Sequence, residues 1–271
     1  MSINEFFASF LNLLREIYLN SKIYDKKISS KENKSLIYKP SLNILSSIVK
    51  YDKKKNKIED FETEKIWDFK KINQKDLKKL NNFFWLFSID LKSSKNISIS
   101  IIDNWIERNQ RFNRKLWDID ILSKRLISWL SNSQLIYDEG NEKYKKKFNN
   151  LVFKQINHLI NEINKSKNYN NKLIGCTAVI LVGLAYNHEN FLDYGLNLLK
   201  KIINSSFDSE YFPKSRSIRQ LVFYIKYFIL IRELIRDSSN EIPDYLDEII
   251  FHLGKGYNFV WGSHKQSLLF N

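Results

Sequence analysis

The sequence predicts a mainly α fold: an incomplete α/α toroid of antiparallel helical hairpins with an irregular N-terminal arm. Three observations predict it. The 271 residues include only 3 prolines and 7 glycines, too few turn-formers for an all-β sandwich or a Gly-rich nucleotide-binding fold. From about Lys75 onward, apolar residues recur at helical spacing almost without interruption. One segment, KLIGCTAVILVGLAY, is apolar on every side while its neighbours are amphipathic. That contrast suggests an inner helical layer covered by an outer, solvated one, as in an α/α toroid or a helical solenoid; a four-helix bundle needs no helix buried all round.

Taken in order, the opening MSINEFFASFLNLLREIYLN places Phe6, Phe10, Leu13, Leu14 and Ile17 on one stripe of an amphipathic helix. It has no basic start and no small-residue cleavage site, so it does not read as an export signal. A cytoplasmic location is the expectation. Residues 21–66 hold short apolar bursts, many lysines and the first proline, Pro40. SLNILSSIVKY and KIEDFETEKIWDF offer short strands around the lysine-rich KKKNK turn. Residues 1–66 are therefore set apart as a helix plus irregular arm, and 67–271 as the toroid.

Beyond that boundary, Asp118 caps a helix with Ile119, Leu122, Leu126, Trp129 and Leu130 on one face. Leu151, Val152, Gln155, Ile156, Leu159, Ile160 and Ile163 repeat at helical spacing. In the all-apolar segment Gly175, Ala178 and Gly183 allow neighbouring helices to come close. An amphipathic helix follows Asn187-His188, a long one runs from about Ser217 to Arg236 after Pro213, and a last one follows Pro243. The most apolar run, LVFYIKYFILI, is too short to span a bilayer and is interrupted by Lys226.

Composition narrows the function classes. Cys176 is the lone cysteine, which excludes an intrachain disulfide framework and a multi-cysteine metal site. The four histidines, His158, His188, His252 and His264, form no H-E-x-x-H pair, so a zinc hydrolase is not indicated. No cofactor or metal motif is present. The charge is 44 basic against 30 acidic residues, a formal +14, which suits a polyanionic partner. Abundant Lys, Asn and Ile also mark an AT-rich coding bias, so arginine is the more telling cation.

The stretches FFWLFSIDLK, IIDNWIERNQ and LWDIDILSKRLISWL, the last with Arg125, Leu126 and Trp129, resemble the N-terminal helical domain of heparinase II/III-like polysaccharide lyases. KLIGCTAVILVGLAY, FLDYGLNLLKKII and DSEYFPKSRS are similar to the helix pair and turn that follow in that family. QSLLFN looks like the segment before its second domain. The resemblance is scattered over Trp67 to Asn271. It implies an α/α toroid joined to a C-terminal β-sandwich, with an acidic polysaccharide in the cleft between them. It also allows a periplasmic location, and it implies that this chain is an N-terminal portion lacking the β-domain.

The chemistry the resemblance implies is β-elimination on a uronate polymer. A base takes the C5 proton, the C4 glycosidic oxygen leaves, and a donor meets the charge that builds on the carboxylate. Carried over by position, Asn171 matches the family's Asn, but Lys172 stands where its His would be. Asn187-His188 is an alternative Asn-His pair. The family's catalytic Tyr falls at the helix start Ser217, Ile218, Arg219, and Tyr211 lies a few residues upstream. Asn171, His188, Tyr211 and Arg216 are thus the candidate catalytic residues.

Trp105, Arg108, Trp117, Arg125 and Arg219 are the candidate sugar contacts, with aromatic faces for rings and guanidinium groups for uronates. Each has a structural alternative. Asn171 also reads as a helix cap, and Trp beside Leu and Ile, Trp129 above all, reads as core. Arg216 opposes the dipole of the helix it precedes, which requires an anionic ligand or a partner carboxylate. With one matched Asn, the chain alone is expected to bind acidic polysaccharide without cleaving it. A non-catalytic glycan-binding module is the second reading, and a nucleic-acid-binding helical repeat, resting on charge alone, the third.

Overall fold

The computed structural model describes residues 3–30, 34–46, 67, 73–90 and 94–261. Among them the chain is mainly helical, with an isolated antiparallel bridge between Phe207 and Pro213. The helices are α1 (Ile3–Leu19), α2 (Lys22–Ile28), α3 (Leu42–Ser46), α4 (Gln74–Asn81), α5 (Lys95–Arg108), α6 (Ile119–Ser131), α7 (Ser133–Ile136) and α8 (Glu142–Ile163). They continue with α9 (Tyr169–Ala185), α10 (Glu189–Ser206), α11 (Ile218–Asp237) and α12 (Asp244–Trp261), and a 3₁₀ turn covers Phe84–Ser88. Short polar side chains start most of them. Ser21, Asn73, Ser94, Asp118, Asn141, Asn168 and Ser217 each accept a backbone N–H of the first turn, satisfying donors that a helix start leaves open.

The all-apolar segment is the centre of the molecule. Every residue from Leu173 to Tyr186 is buried, against α6, α8, α10 and α11. Glycine sets the closeness of α9 to α10. A Cβ at Gly183 would lie 2.7 Å from the Leu192 nitrogen, and one at Gly195 would lie 2.6 Å from Ile180 Cγ1. Numbers rise along one helix as they fall along the other.

A second, aromatic centre is built around Phe83, whose ring lies 5.3 to 5.6 Å from Trp67, Trp85, Trp105 and Trp129. Its backbone is left-handed, at φ 59°, a costly state for a bulky residue. The ring contacts and the Ser128 hydroxyl, which donates to the Phe83 carbonyl at 2.6 Å, hold it there. Beside it Arg125 is fully buried. Its guanidinium donates to Gln155 Oε1 at 3.2 Å and to the carbonyls of Asn81 and Leu116 at 3.1 Å each, and it lies 4.5 Å over the Trp105 ring. Burial lowers its pKa to about 9.

This geometry corrects part of the sequence reading. Trp105, Trp117 and Arg125, expected to line a sugar groove, are 1%, 2% and 0% exposed. They cannot touch a polymer, because α4, α5, α6 and α8 close over them. Trp129, read as core, is core.

The described parts of the N-terminal arm are laid onto the same core, to which they contribute Tyr24, Ile28, Leu36 and Leu45. Ile37 and Tyr38 both donate their backbone N–H to the Ala185 carbonyl at the end of α9, at 2.8 and 3.1 Å. Asn157 and Asn149 of α8 donate to the carbonyls of Ile28 and Lys34. The first expected strand is a helix where it is described, α3. The remainder of SLNILSSIVKY, the KKKNK turn, KIEDFETEKIWDF apart from Trp67, and QSLLFN lie outside the described residues. Among the described residues no helix is long and apolar enough to cross a membrane.

Candidate functional site at the starts of α9 and α11

Two of the segments that the sequence singled out adjoin in space. Asn168, Tyr169 and Asn170 at the start of α9, with Ser217, Arg219, Gln220 and Phe223 at the start of α11, line one open cavity of about 310 Å³. Each wall has a local cause. Asn168 accepts from the N–H groups of Asn170 and Asn171 at 2.9 and 3.2 Å, and the apolar helix behind it holds that turn at the rim. Ser217 accepts from the Gln220 N–H at 3.3 Å. Gln220 is oriented by its amide, which donates to the Tyr224 hydroxyl at 3.1 Å.

The electrostatics of this mouth are positive. Arg219 lines it, the Lys172 ammonium sits 5.8 Å over the Tyr169 ring, and two helix starts add partial positive charge. The lining offers amide and hydroxyl groups, two aromatic faces and a guanidinium, but no carboxylate and no imidazole. It is equipped to hold a carboxylate-bearing ring, and the titratable groups it presents are the Tyr169 phenol and the Arg219 guanidinium.

The loop feeding α11 is tightly built. Asp208 accepts from the N–H groups of Glu210 and Phe212 at 3.0 and 2.9 Å and pairs with Arg216 at 2.7 Å. The Phe212 N–H, followed by that of Glu210 and by Arg216, holds its carboxyl below the usual range. Tyr211 and Arg216 are both left-handed, at φ 61° and 55°, a strain tolerated where surrounding contacts fix the backbone.

The remaining candidates lie elsewhere. Asn171 is half-buried beside the cavity, on the first turn of α9. Arg216 answers the carboxylate of its own loop, Asp208, which is the local partner its position required, and its side chain stays two-thirds exposed. Tyr211 stacks on His252, with centroids 4.0 Å apart, and donates to Glu248 at 2.6 Å. Glu248 pushes the phenol up, the wrong direction for a proton acceptor.

His188 is buried and stacked on Phe191 at 3.8 Å, beyond the far end of α9. A helix of that length puts it roughly 25 Å from Asn171, so the two cannot serve one sugar. Arg108 is exposed on the last turn of α5, where its Nε donates to Asn104 at 2.8 Å, well apart in sequence from the cavity walls.

Asn168, Tyr169, Gln220 and Phe223 were missed in the sequence. The signal available for the first was its place as cap of the buried helix. Among the described residues no group of three or more His, Cys, Asp or Glu is placed to hold a metal ion. Compared with known proteins, the chain matches no family model, no curated protein and no solved structure.

Proposed function

We propose that the chain is a toroid-type helical domain of a heparinase II/III-like protein that holds an acidic, uronate-bearing polysaccharide. The observation that carries this reading is the shared cavity at the starts of α9 and α11. Those are the two chain segments that the resemblance assigns to substrate. Arg219 would pair with a uronate carboxylate, the amide and hydroxyl groups of Asn170, Gln220 and Ser217 with ring hydroxyls, and Tyr169 or Phe223 would stack on a sugar face.

In this reading elimination belongs to a longer protein in which a β-domain adds the missing acid–base groups. At the matched positions Lys172 replaces the family's His and Ile218 its Tyr. The binding-only module is supported by the same two replacements.

The test is direct. The purified chain is mixed with alginate and heparan-type polymers, and binding is followed alongside ultraviolet absorbance from unsaturated uronyl ends. Binding that weakens with salt, drops about tenfold in Arg219→Ala, and yields no absorbance is the expected result. Clear turnover would refute the binding-only behaviour. Failure to bind any acidic glycan, with salt-sensitive RNA binding instead, would favour the nucleic-acid reading.

A further inference from the structure

Helix α1 is amphipathic, but it is mounted with its apolar side facing out. Phe6, Phe7, Phe10, Leu13, Leu14 and Ile17 are each 46% to 64% exposed. The opposite side is fastened to the body by ion pairs. Arg15 bonds Glu162 of α8, Glu16 bonds Arg114 at 2.9 Å, and Asn12 and Leu19 face the hollow lined by Trp117 and His158. At 100° per residue the apolar arc from Leu13 round to Leu11 spans roughly 160°. The usual core-facing arrangement is reversed, and the described residues leave this apolar side open to an outside partner.

The surroundings say by what. The next helix buries Tyr24 and Ile28 and exposes Lys22, Ile23, Lys26 and Lys27. Lys165 at the end of α8 is held below its ordinary pKa by partial burial and by nearby Arg15 and Lys27, which marks a crowd of cations beside α1. The chain as a whole carries a formal +14. An arc this wide exceeds the seam that a paired helix covers, whereas an in-plane helix at a bilayer buries about half its circumference and gains from cations near anionic headgroups.

We infer that α1 is a membrane-surface anchor, lying in the interface of a negatively charged bilayer with its apolar arc in the acyl boundary and the α2 lysines at the headgroups. This goes beyond the glycan reading and does not depend on it.

The test is co-sedimentation of the full chain with phosphatidylcholine vesicles and with vesicles that also contain phosphatidylglycerol. Expected is binding to the anionic vesicles, weakened about tenfold or more by Phe10→Asp with Leu14→Asp and by Lys26→Glu with Lys27→Glu, the thermal melt staying unchanged. Phe10→Trp should retain binding and shift its emission to the blue on the anionic vesicles. No sedimentation, or sedimentation indifferent to both variant pairs, overturns the inference. So does a dimer in lipid-free solution that Phe10→Asp dissociates, because it assigns the arc to a second copy of the chain.

Discussion

At the scale of single residues, a buried guanidinium and a buried neutral imidazole define what the interior tolerates. Arg125 is surrounded by neutral acceptors, two of them backbone carbonyls, so its removal leaves those carbonyls unmet in a closed site. Arg125→Ala should destabilise the fold by about 3 kcal/mol or more, read from the urea midpoint; a change under about 1 kcal/mol would contradict its role as a structural pin. His158 is kept neutral. Burial, the dominant cause, lowers its pKa from 6.5 to about 4, and the Tyr24 hydroxyl sits 2.7 Å from its Nδ1. The unfolded chain takes up a proton near pH 6.5 that the folded chain refuses until about 4. Stability linked to this ring is therefore full above 6.5 and falls, by roughly 3 kcal/mol at most, as pH drops from 6.5 to 4. The difference in stability between wild type and His158→Gln, followed across that window, should show this slope. A flat difference would mean that the ring is solvated. Neither burial was legible in the sequence. Arg125 follows Lys124 as though both faced water, and the groups that bury it, Asn81, Leu116 and Gln155, come from three other places in the chain.

At the scale of elements, legibility followed the strength of the pattern. The segment Leu173–Tyr186 has no polar face, so its burial could be read directly, and the small residues within it pointed to close neighbours. Gly183 bears this out, with the Leu192 backbone against it. Gly183→Ala should cost about 1–3 kcal/mol, because backbone and not a flexible side chain must yield. Gly254, inside α12, has open space within 4 Å of the point where a Cβ would stand, so Gly254→Ala should raise stability by about 0.5–1 kcal/mol through helix propensity. Paired thermal melts check both signs, and equal effects would show that the α9–α10 approach is looser than these distances imply. The apolar stripe of α1 was also plain in the sequence. Its outward direction was not, because the partners that turn it, Glu162 and Arg114, lie far along the chain.

At the scale of the whole molecule, the sequence reading of a helical body is met by the structure, while the position of the candidate site emerged only when α9 and α11 came together. Periodicity locates helices but not which of their ends converge. That convergence leaves a positive mouth without carboxylate or imidazole, and the central claim is that an acidic glycan rests there. The most direct measurement is backbone hydrogen exchange of the chain with and without an oligo-uronate. The account predicts added protection at Tyr169–Lys172 and Ser217–Phe223, weakened by salt and absent in Arg219→Ala. Protection confined to other segments, or none at oligosaccharide concentrations that saturate binding, would contradict it.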